Sequence, residues 1–275
     1  MIELPEGFVL AGQLDRQLAG LRIAHVVANA SPHRFAWYGG DPALYPDRFT
    51  GRDIEGAHAY GGKVHLRFRD AGGFLFCDGV NLRLLSPTDP PPKKHQLLLE
   101  FSDGSRLAGS VQMYGALIGY DALPVSDYDE AARTKPCVLT DAFSPVYFEE
   151  LLSGVKPSCS AKAFLAAEQR IPGLGNGVLQ DILFRAGIHP KRAVSTLSPA
   201  ELDTLFRAVK DTLREMTEAG GRDTEKDLYG RAGGYATLLS RNTYLYPCPR
   251  CGGPIKKEAY LGGSVYACPH CQPPV

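Results

Sequence analysis

Four cysteines near the C-terminus constrain the fold of this chain more than any other feature. Cys248 and Cys251 form one C-x2-C pair, Cys268 and Cys271 form another, and sixteen residues separate the two pairs. This spacing lets a hairpin bring the pairs together, and four thiolates in a tetrahedral arrangement suit a structural Zn²⁺ ion. Two disulfides fit poorly, because the three remaining cysteines are scattered and odd in number, as in a reducing compartment. The sequence therefore predicts one structural zinc site.

The segment around these cysteines is basic, although the whole chain carries 30 basic and 30 acidic residues. From residue 231 onward there are five Lys or Arg against one acid, Glu258. A basic hairpin on a neutral protein predicts a local contact with a polyanion. We expect Lys256 and Lys257, which lie between the cysteine pairs, to contact nucleic acid. The alternative is a hairpin that only closes the end of the fold.

The bulk properties describe a globular chain. Its 275 residues allow two moderate domains and a small zinc module. The apolar content of 44% and the charged content of 22% are ordinary for soluble proteins. No apolar run approaches the roughly 20 residues that a membrane span needs, and the acidic N-terminus does not read as a secretory signal. We expect a cytoplasmic monomer without a membrane partner.

Short β-type segments dominate the first part of the chain. Residues 63–69 alternate most clearly, with Val64, Leu66 and Phe68 on one face and charged or polar residues on the other. An apolar stripe of leucines at helical spacing comes before them. These patterns predict a helix followed by a β-sandwich or barrel over residues 1–125.

Helical patterns dominate the second half. Ser144, Ser160 and Ser198 each precede an apolar helical stripe as N-cap residues. The stretch before them is acidic and irregular, which is typical of a linker. The fold class is therefore α+β. The predicted units are, in order, a β-sandwich domain at 1–125, a linker at 126–140, a helical domain at 141–235 and a zinc hairpin at 236–275.

A glycine-rich turn is the second candidate binding feature. Gly173, Gly175 and Gly177 alternate within five residues, and Asn176 can cap the helix that follows. Glycines let the backbone approach a ligand closely, and a helix N-terminus offers free N–H groups and a positive dipole end. The turn is therefore a candidate anion site, and a duplex phosphate is a natural occupant. A simple tight turn is the alternative.

Four groups of residues match a known family in the family's own order. They are Glu3-Leu4-Pro5-Glu6, Gly61-Gly62-Lys63, Gly173-Leu174-Gly175-Asn176 followed by Leu183–Pro190, and the hairpin ending in Cys268-Pro269-His270-Cys271-Gln272. Together they resemble the formamidopyrimidine-DNA glycosylase/endonuclease VIII family. The resemblance implies a β-sandwich, a helix-two-turn-helix domain and a zinc finger, with DNA in the cleft between them.

The same resemblance implies roles for individual residues. Glu3 corresponds to the family's glutamate that handles protons at the sugar of the damaged nucleotide, which is flipped out of the stack. Lys63 corresponds to a lysine that assists and contacts phosphate. Asn176 corresponds to the asparagine that binds phosphate beside the lesion, and we expect Gly175 and Lys162 to contact DNA near it. The implied partner is double-stranded DNA with a damaged base or an abasic site, and the implied location is the nucleoid.

The sequence departs from the family pattern at its nucleophile. The family usually has Pro after the initiator Met, and the secondary amine of that proline attacks C1′; this chain has Ile2. A large second residue leaves Met1 in place, so the chain offers a primary amine one residue further from Glu3. Such an amine can form a Schiff base, and Lys63 is the other candidate.

Two further family positions have changed. The hairpin tip, where the family has Arg, reads Leu261 to Val265 without one, and the loop that fills the void left by the flipped nucleotide reads Gln112-Met113-Tyr114-Gly115. Met113 and Tyr114 can still fill the void, or they are core residues at a strand end. Glu3 and Lys63 also have non-catalytic alternatives. Glu3 can be an acid that is favoured at a helix N-terminus, and Lys63 can be a solvated strand residue.

These changes predict a DNA glycosylase with altered or weakened abasic-site lyase activity. The alternative is a non-catalytic relative that recognises or shields lesions. A zinc-ribbon protein that contacts RNA or protein is a third class, and the Glu3-to-Glu6 motif argues against it.

Overall fold

The computed structural model describes residues 1–274. The chain begins with a helix, α1 (Leu4–Leu18), whose Leu10, Leu14 and Leu18 face the core as their spacing predicts. Pro5 lies in the first turn, where its missing N–H costs no hydrogen bond. Leu4, at the start of the helix, packs instead in the core of the helical half of the molecule. The helix therefore belongs to both halves.

The strands form an antiparallel sheet after α1. They are β1 (Ile23–Ala28), β2 (Ala36–Trp37), β3 (Ile54–Tyr60), β4 (Lys63–Phe68), β5 (Gly73–Leu85), β6 (Leu97–Phe101) and β7 (Arg106–Tyr120). The sheet order is β1-β6-β7-β5-β4-β3, and β2 adds to β7 in parallel. A short helix, α2 (Tyr45–Phe49), follows a 3-10 turn at Pro42–Leu44.

A register shift between Asp78 and Val80 divides the two long strands β5 and β7. On one side of the shift β5 pairs with β4, and on the other β7 pairs with β6. Both halves of the sheet contribute to one core, for example Phe74 from the first half and Leu99 from the second. The α+β class and the helix followed by a two-layered sheet are confirmed.

The helical half comprises the remaining helices. They are α3 (Asp127–Thr134), α4 (Pro145–Ser153), α5 (Ala161–Ala166), α6 (Val178–Ala186) and α7 (Pro199–Glu218), with a 3-10 turn at Val194–Thr196. Ser144, Ser160 and Ser198 cap α4, α5 and α7 through their hydroxyl groups, as their sequence context predicts. The region expected to be an irregular linker contains α3, because Ser126 caps it and three acids lie in its first turn.

Helix α3 is anchored to the sheet by a buried polar cluster. The His65 ring contacts the Asp129 carboxylate at 2.9 Å and the Tyr120 hydroxyl at 3.1 Å, and all three side chains are buried. No local pattern singles out His65, because its partners lie 55 and 64 residues away in the chain. The cluster fixes the start of the helical half against the sheet.

The C-terminal segment forms a two-stranded hairpin of β8 (Lys256–Tyr260) and β9 (Gly263–Ala267). Leu261 and Gly262 form its two-residue turn, and both have positive φ, as expected for a turn between twisted strands. Phe184 of α6 packs against Tyr266 and the cysteines, so the hairpin is seated on the helical half.

Within residues 1–274, none of the helices combines the length and the apolar character needed to cross a bilayer.

Candidate functional site

A cleft of about 450 Å³ lies where α1, the sheet, the helical half and the hairpin meet. It gathers residues that are far apart in the sequence. Eight residues that the sequence singled out line it: Met1, Glu3, Lys63, Met113, Tyr114, Lys162, Gly175 and Asn176. Lys256 and Lys257 of the hairpin are not among its lining residues. The fold therefore brings the motifs of both halves to one place.

Glu3 lies at the floor of the cleft with a buried carboxylate. Its Oε1 accepts a hydrogen bond from the Gly177 backbone N–H at 2.8 Å, and its Oε2 accepts one from Val178 at 2.7 Å. Both donors belong to the start of α6, whose dipole favours a negative charge at that point. The first turn of α6 thus binds an anion, and the anion is a side chain of the same protein.

This arrangement corrects the expected geometry of the glycine-rich turn. Asn176 does not cap α6: the N-cap is Gly177, and the first amides of the helix go to Glu3. The glycines make room for the glutamate, because a Cβ on Gly175 would lie 2.5 Å from Glu3 Oε1. A phosphate cannot use these amides while Glu3 holds them.

Arg222 completes the surroundings of Glu3, and the sequence did not point to it. Its guanidinium is 3.2 Å from Glu3 Oε2 and forms two hydrogen bonds, of 3.0 and 2.8 Å, with the carboxylate of Glu6. Arg222 and both carboxylates are buried. Gly177 must lack a side chain for this reason too, since a Cβ there would overlap the Arg222 guanidinium.

This environment shifts the pKa values of the two carboxyl groups, Glu3 and Glu6, in opposite directions. Burial raises the pKa of Glu3, and the charge of nearby Glu6 adds to the rise, although Arg222 and the two amides oppose it. Burial also acts to raise the pKa of Glu6, but the charge and hydrogen bonds of Arg222 outweigh it and hold that pKa low. Glu6 therefore stays ionised, while Glu3 can exchange a proton closer to neutral pH.

The N-terminus is held at the mouth of the cleft. The Ile2 N–H donates to the Asp78 carbonyl at 2.6 Å, and the Ile2 side chain is buried in the sheet core. These contacts fix the direction of Met1, whose amine pairs with the Glu225 carboxylate. Glu225 lies on the same segment as Arg222, between α7 and the hairpin. Met1 thus lines the cleft, but its amine is engaged with a carboxylate that is not among the lining residues.

Lys63 enters the cleft from the Gly61-Gly62 turn that opens β4. This turn packs directly on the opposite backbone: a Cβ on Gly62 would lie 2.8 Å from the Ile2 carbonyl oxygen and 3.5 Å from Gly173 Cα. The glycine motifs before Lys63 and before Asn176 therefore touch each other at the floor of the cleft. This contact explains why both sequences require glycine.

Asn176 and Lys162 join the helical half to the hairpin. Asn176 Nδ2 donates to the Ser264 carbonyl at 3.0 Å, and its Oδ1 is buried without a hydrogen-bond partner. Lys162 Nζ donates to the Tyr260 carbonyl at 2.5 Å. Both donors thus hold the hairpin beside its tip. Burial lowers the pKa of Lys162.

Met113 and Tyr114 occupy a bulge-like stretch of β7 that faces the cleft. Met113 is 69% exposed, which excludes the alternative that it is a core residue. The Tyr114 ring contacts Trp37 of β2, with ring centroids 5.9 Å apart. Both residues are therefore positioned to contact a bound molecule.

The hairpin lysines, Lys256 and Lys257, lie outside the cleft. Lys257 packs its amine over the Tyr244 ring, 5.2 Å from the ring centroid. Lys256 lines a separate depression with His189 and Lys191. Both lysines are exposed, and as neighbours on β8 they project from opposite faces of the hairpin.

The four cysteines converge as their spacing predicts. Their Sγ atoms all lie within 4.8 Å of one another, with separations of 3.4 Å for Cys251–Cys268 and 3.8 Å for Cys248–Cys271. Zn–S bonds of about 2.3 Å in a tetrahedron place sulfurs about 3.8 Å apart, so the donor set fits zinc. All four are free thiols, which excludes the disulfide alternative.

Comparisons with known proteins agree with this architecture. Residues 137–227 match the model of the formamidopyrimidine-DNA glycosylase H2TH domain. The formamidopyrimidine-DNA glycosylase of Roseiflexus sp. (strain RS-1) is 32% identical over 289 aligned residues, covering 99% of this chain and 100% of that protein. The chain belongs to the formamidopyrimidine-DNA glycosylase family. The family resemblance inferred from the motifs is confirmed.

Two further relatives complete the comparison. The formamidopyrimidine-DNA glycosylase of Pelotomaculum thermopropionicum is 30% identical over 99% of both chains. The structure of Lactococcus lactis Fpg in complex with DNA containing an abasic site matches with a TM-score of 0.82 and 23% identity, over 98% of this chain and 99% of that one. The chain therefore has the fold of a family of DNA-repair glycosylases along its whole length.

Proposed function

We propose that this protein is a DNA glycosylase that acts on double-stranded DNA containing a damaged base or an abasic site. The observation that carries the proposal is the buried Glu3 carboxylate at the floor of a cleft that is also lined by Met1 and Lys63, the two residues with a candidate amine. A carboxylate and an amine beside one cavity are the groups needed to move protons at a sugar and to attack its C1′. The family supplies the substrate class, since its members are named for the formamidopyrimidine lesion.

The chemistry would divide between Glu3 and an amine. Glu3 is held by α6 and Arg222 with its pKa raised, so it can activate water or protonate the sugar. An amine then condenses with the aldehyde form of the abasic sugar at C1′ and releases water, giving an imine. The Met1 amine is primary and paired with Glu225. We therefore propose that the lyase step is weaker than one driven by an N-terminal proline.

Affinity would come from groups that face the DNA backbone. Asn176, Lys162 and the exposed hairpin lysines Lys256 and Lys257 lie around or beside the cleft. Asn176 Nδ2 has to share or leave its bond to Ser264 to reach a phosphate. Zinc held by the four thiolates would fix the hairpin that carries Lys256 and Lys257, and its contribution would be structural. We propose that the protein acts as a monomer.

Asn176 can be tested directly. We expect Asn176→Ala to weaken binding to duplexes of any sequence by about 1–3 kcal/mol, because a buried amide donor is lost. Titration of fluorescent duplexes of two unrelated sequences measures the change. An unchanged affinity for both duplexes would remove Asn176 from the phosphate contacts.

Borohydride trapping tests the proposed lyase chemistry. A duplex with one abasic site is incubated with the protein and reduced, and the adduct is read by denaturing gel and intact mass. We expect an adduct, and peptide mapping then assigns the linked amine to Met1 or Lys63. Lys63→Gln and acetylation of Met1 serve as matched controls, since each removes one amine and leaves the other.

A non-catalytic relative that binds lesions is the second candidate, and one observation favours it. The Glu3 carboxylate already has two backbone donors and an arginine, and the Met1 amine is paired with Glu225. Tight binding to the abasic duplex with neither adduct nor base release, across a panel of oxidised-base duplexes, would select this candidate. Base release without an adduct would select a glycosylase that lacks lyase activity.

A further inference from the structure

Three aromatic rings form an exposed surface beside the cleft. Phe35 and Trp37 are 46% and 47% exposed, and the Tyr114 ring contacts Trp37. We name Phe35, Trp37 and Tyr114 the aromatic ledge. Large exposed rings in a row are uncommon on a soluble protein, where they mark interaction sites.

The ledge is built by the backbone and is not a chance cluster. Strand β2 pairs in parallel with β7, with Ala36 opposite Gly115, and the Gly115 N–H donates to the Phe35 carbonyl at 3.0 Å. Ala36 packs toward the sheet core. Because successive side chains of a strand point to opposite faces, Phe35 and Trp37 both point away from the core. The pairing also fixes them next to Met113 and Tyr114.

The ledge is continuous with the cleft and flanked by the Arg34 guanidinium. Tyr114 belongs to both, since it lines the cleft and contacts Trp37. The Arg34 guanidinium lies 5.2 Å from the Phe35 ring centroid, and the His33 ring meets the same ring edge-on at 6.4 Å. Aromatic faces beside cationic groups are the combination that binds unstacked bases of nucleic acids.

We propose that the aromatic ledge binds an unpaired nucleobase of the DNA held in the cleft, the base left without a partner when the opposite nucleotide is displaced. This proposal rests on the proposed function, because it requires DNA in the cleft. A base stacked on Trp37 would leave Tyr114 and Met113 beside the gap in the duplex. The ledge would make binding depend on the presence of that base and not only on the sugar-phosphate backbone.

The chain provides its own reporter for this contact. Trp37 is the single tryptophan of the sequence, so indole fluorescence reports on the ledge alone. Two duplexes are compared. One carries a tetrahydrofuran abasic analogue opposite cytosine. The other carries the analogue on both strands at that base pair, so that no base is present at this position. We expect the first duplex to quench Trp37 on binding and the second to quench it clearly less.

Variants measure the contribution of the ledge to affinity. We expect Trp37→Ala to weaken binding of the singly abasic duplex by roughly 5- to 100-fold, as for the loss of one stacked base. The same variant should bind the doubly abasic duplex within about 2-fold of the native protein. Trp37→Phe should retain most of the affinity, because it keeps a ring. Leu44→Ala, at an apolar residue that is also exposed but is not part of the ledge, is the matched control and should change nothing.

The outcomes separate this proposal from the proposed function. Equal quenching by both duplexes, or an equal loss of affinity for both in Trp37→Ala, would overturn the ledge while leaving DNA binding intact. Unchanged affinity of Trp37→Ala for the singly abasic duplex would do the same. Failure of the native protein to bind either duplex would instead contradict the proposed function.

Discussion

Glu3 and Glu6 are three residues apart, yet the fold gives them different tasks. Glu6 forms a paired, two-point contact with Arg222, and its pKa is held low. Glu3 faces the start of α6 and the cleft, and burial raises its pKa. Two carboxylates pushed in opposite directions are a frequent basis for acid–base chemistry. The difference comes from a third residue, Arg222, which lies more than two hundred positions away in the chain.

Glu3 sets the expected pH dependence of base release. A carboxyl group with a raised pKa is ionised only above that raised value, so activity that needs the carboxylate should fall as pH drops through a midpoint above 4.5. We expect Glu3→Gln to abolish base release at every pH while duplex binding is retained. Single-turnover rates between pH 4 and 8 check this. Retained release in the variant would move the chemistry to another residue.

Arg222 should matter for stability. Removing one partner of a buried ion pair leaves an uncompensated charge, so we expect Arg222→Gln to lower the free energy of unfolding by about 3–5 kcal/mol. Denaturant unfolding measures it. The control is Arg214→Gln, whose exposed pair with Asp211 at 3.5 Å should contribute less than about 1 kcal/mol. A similar small effect at both positions would show that Arg222 does not neutralise Glu3 and Glu6.

At the scale of elements, the hairpin depends on its metal site. Its strands are five residues long, and its core is a small cluster around Phe184 and Tyr266. Its polar contacts to the helical half include those of Asn176, Lys162 and Gln180 and the ion pair of Lys191 with Glu258. A metal that fixes the four cysteine side chains therefore determines the position of the hairpin and of its lysines, Lys256 and Lys257.

Zinc removal should separate the hairpin from the rest of the fold. We expect about one zinc ion per chain by metal analysis, and chelation should lower DNA affinity while the near-UV signal of the sheet core persists. Cys268→Ser is the genetic counterpart, and Cys159→Ser, a thiol outside the cluster, is its control. A stable, fully DNA-binding protein without metal would refute the four-thiolate site.

The sequence predicted the elements better than the contacts between them. Leu10, Leu14 and Leu18, the serine caps and the cysteine spacing all describe local patterns, and the structure agrees with them. The capping of α6 by Asn176 was wrong, because a remote carboxylate, Glu3, competed for the same amides. Local rules cannot include such a competitor. The same limit applies to Arg222, whose partners Glu3 and Glu6 lie more than two hundred positions away in the chain.

At the scale of the whole molecule, charge is arranged locally on a chain that is neutral overall. The cleft holds Lys63 and Lys162, and the hairpin beside it adds Lys256 and Lys257. DNA binding through such groups releases counterions. Affinity should therefore fall steeply with salt even though the net charge is zero.

The salt dependence gives a count of phosphate contacts. We expect log K for an undamaged duplex to fall linearly with log salt, and Lys257→Gln to reduce the slope by about 1. Lys93→Gln, a change of the same charge in the proline-rich loop before β6, is the control and should leave the slope unchanged. Identical slopes for all three proteins would place Lys257 away from the DNA.

The glycine contact at the floor of the cleft has a mechanical consequence. Gly61 and Gly62 from the sheet meet Gly173 from the helical half almost backbone to backbone. The two halves thus meet at a point where no side chain separates their backbones. One methyl group placed there would push the two backbones apart. The resulting separation of the two halves would grow with distance from this contact toward the rim of the cleft. The width of the cleft is therefore set by Gly61, Gly62 and Gly173, where the α-carbon carries a hydrogen atom in place of a side chain.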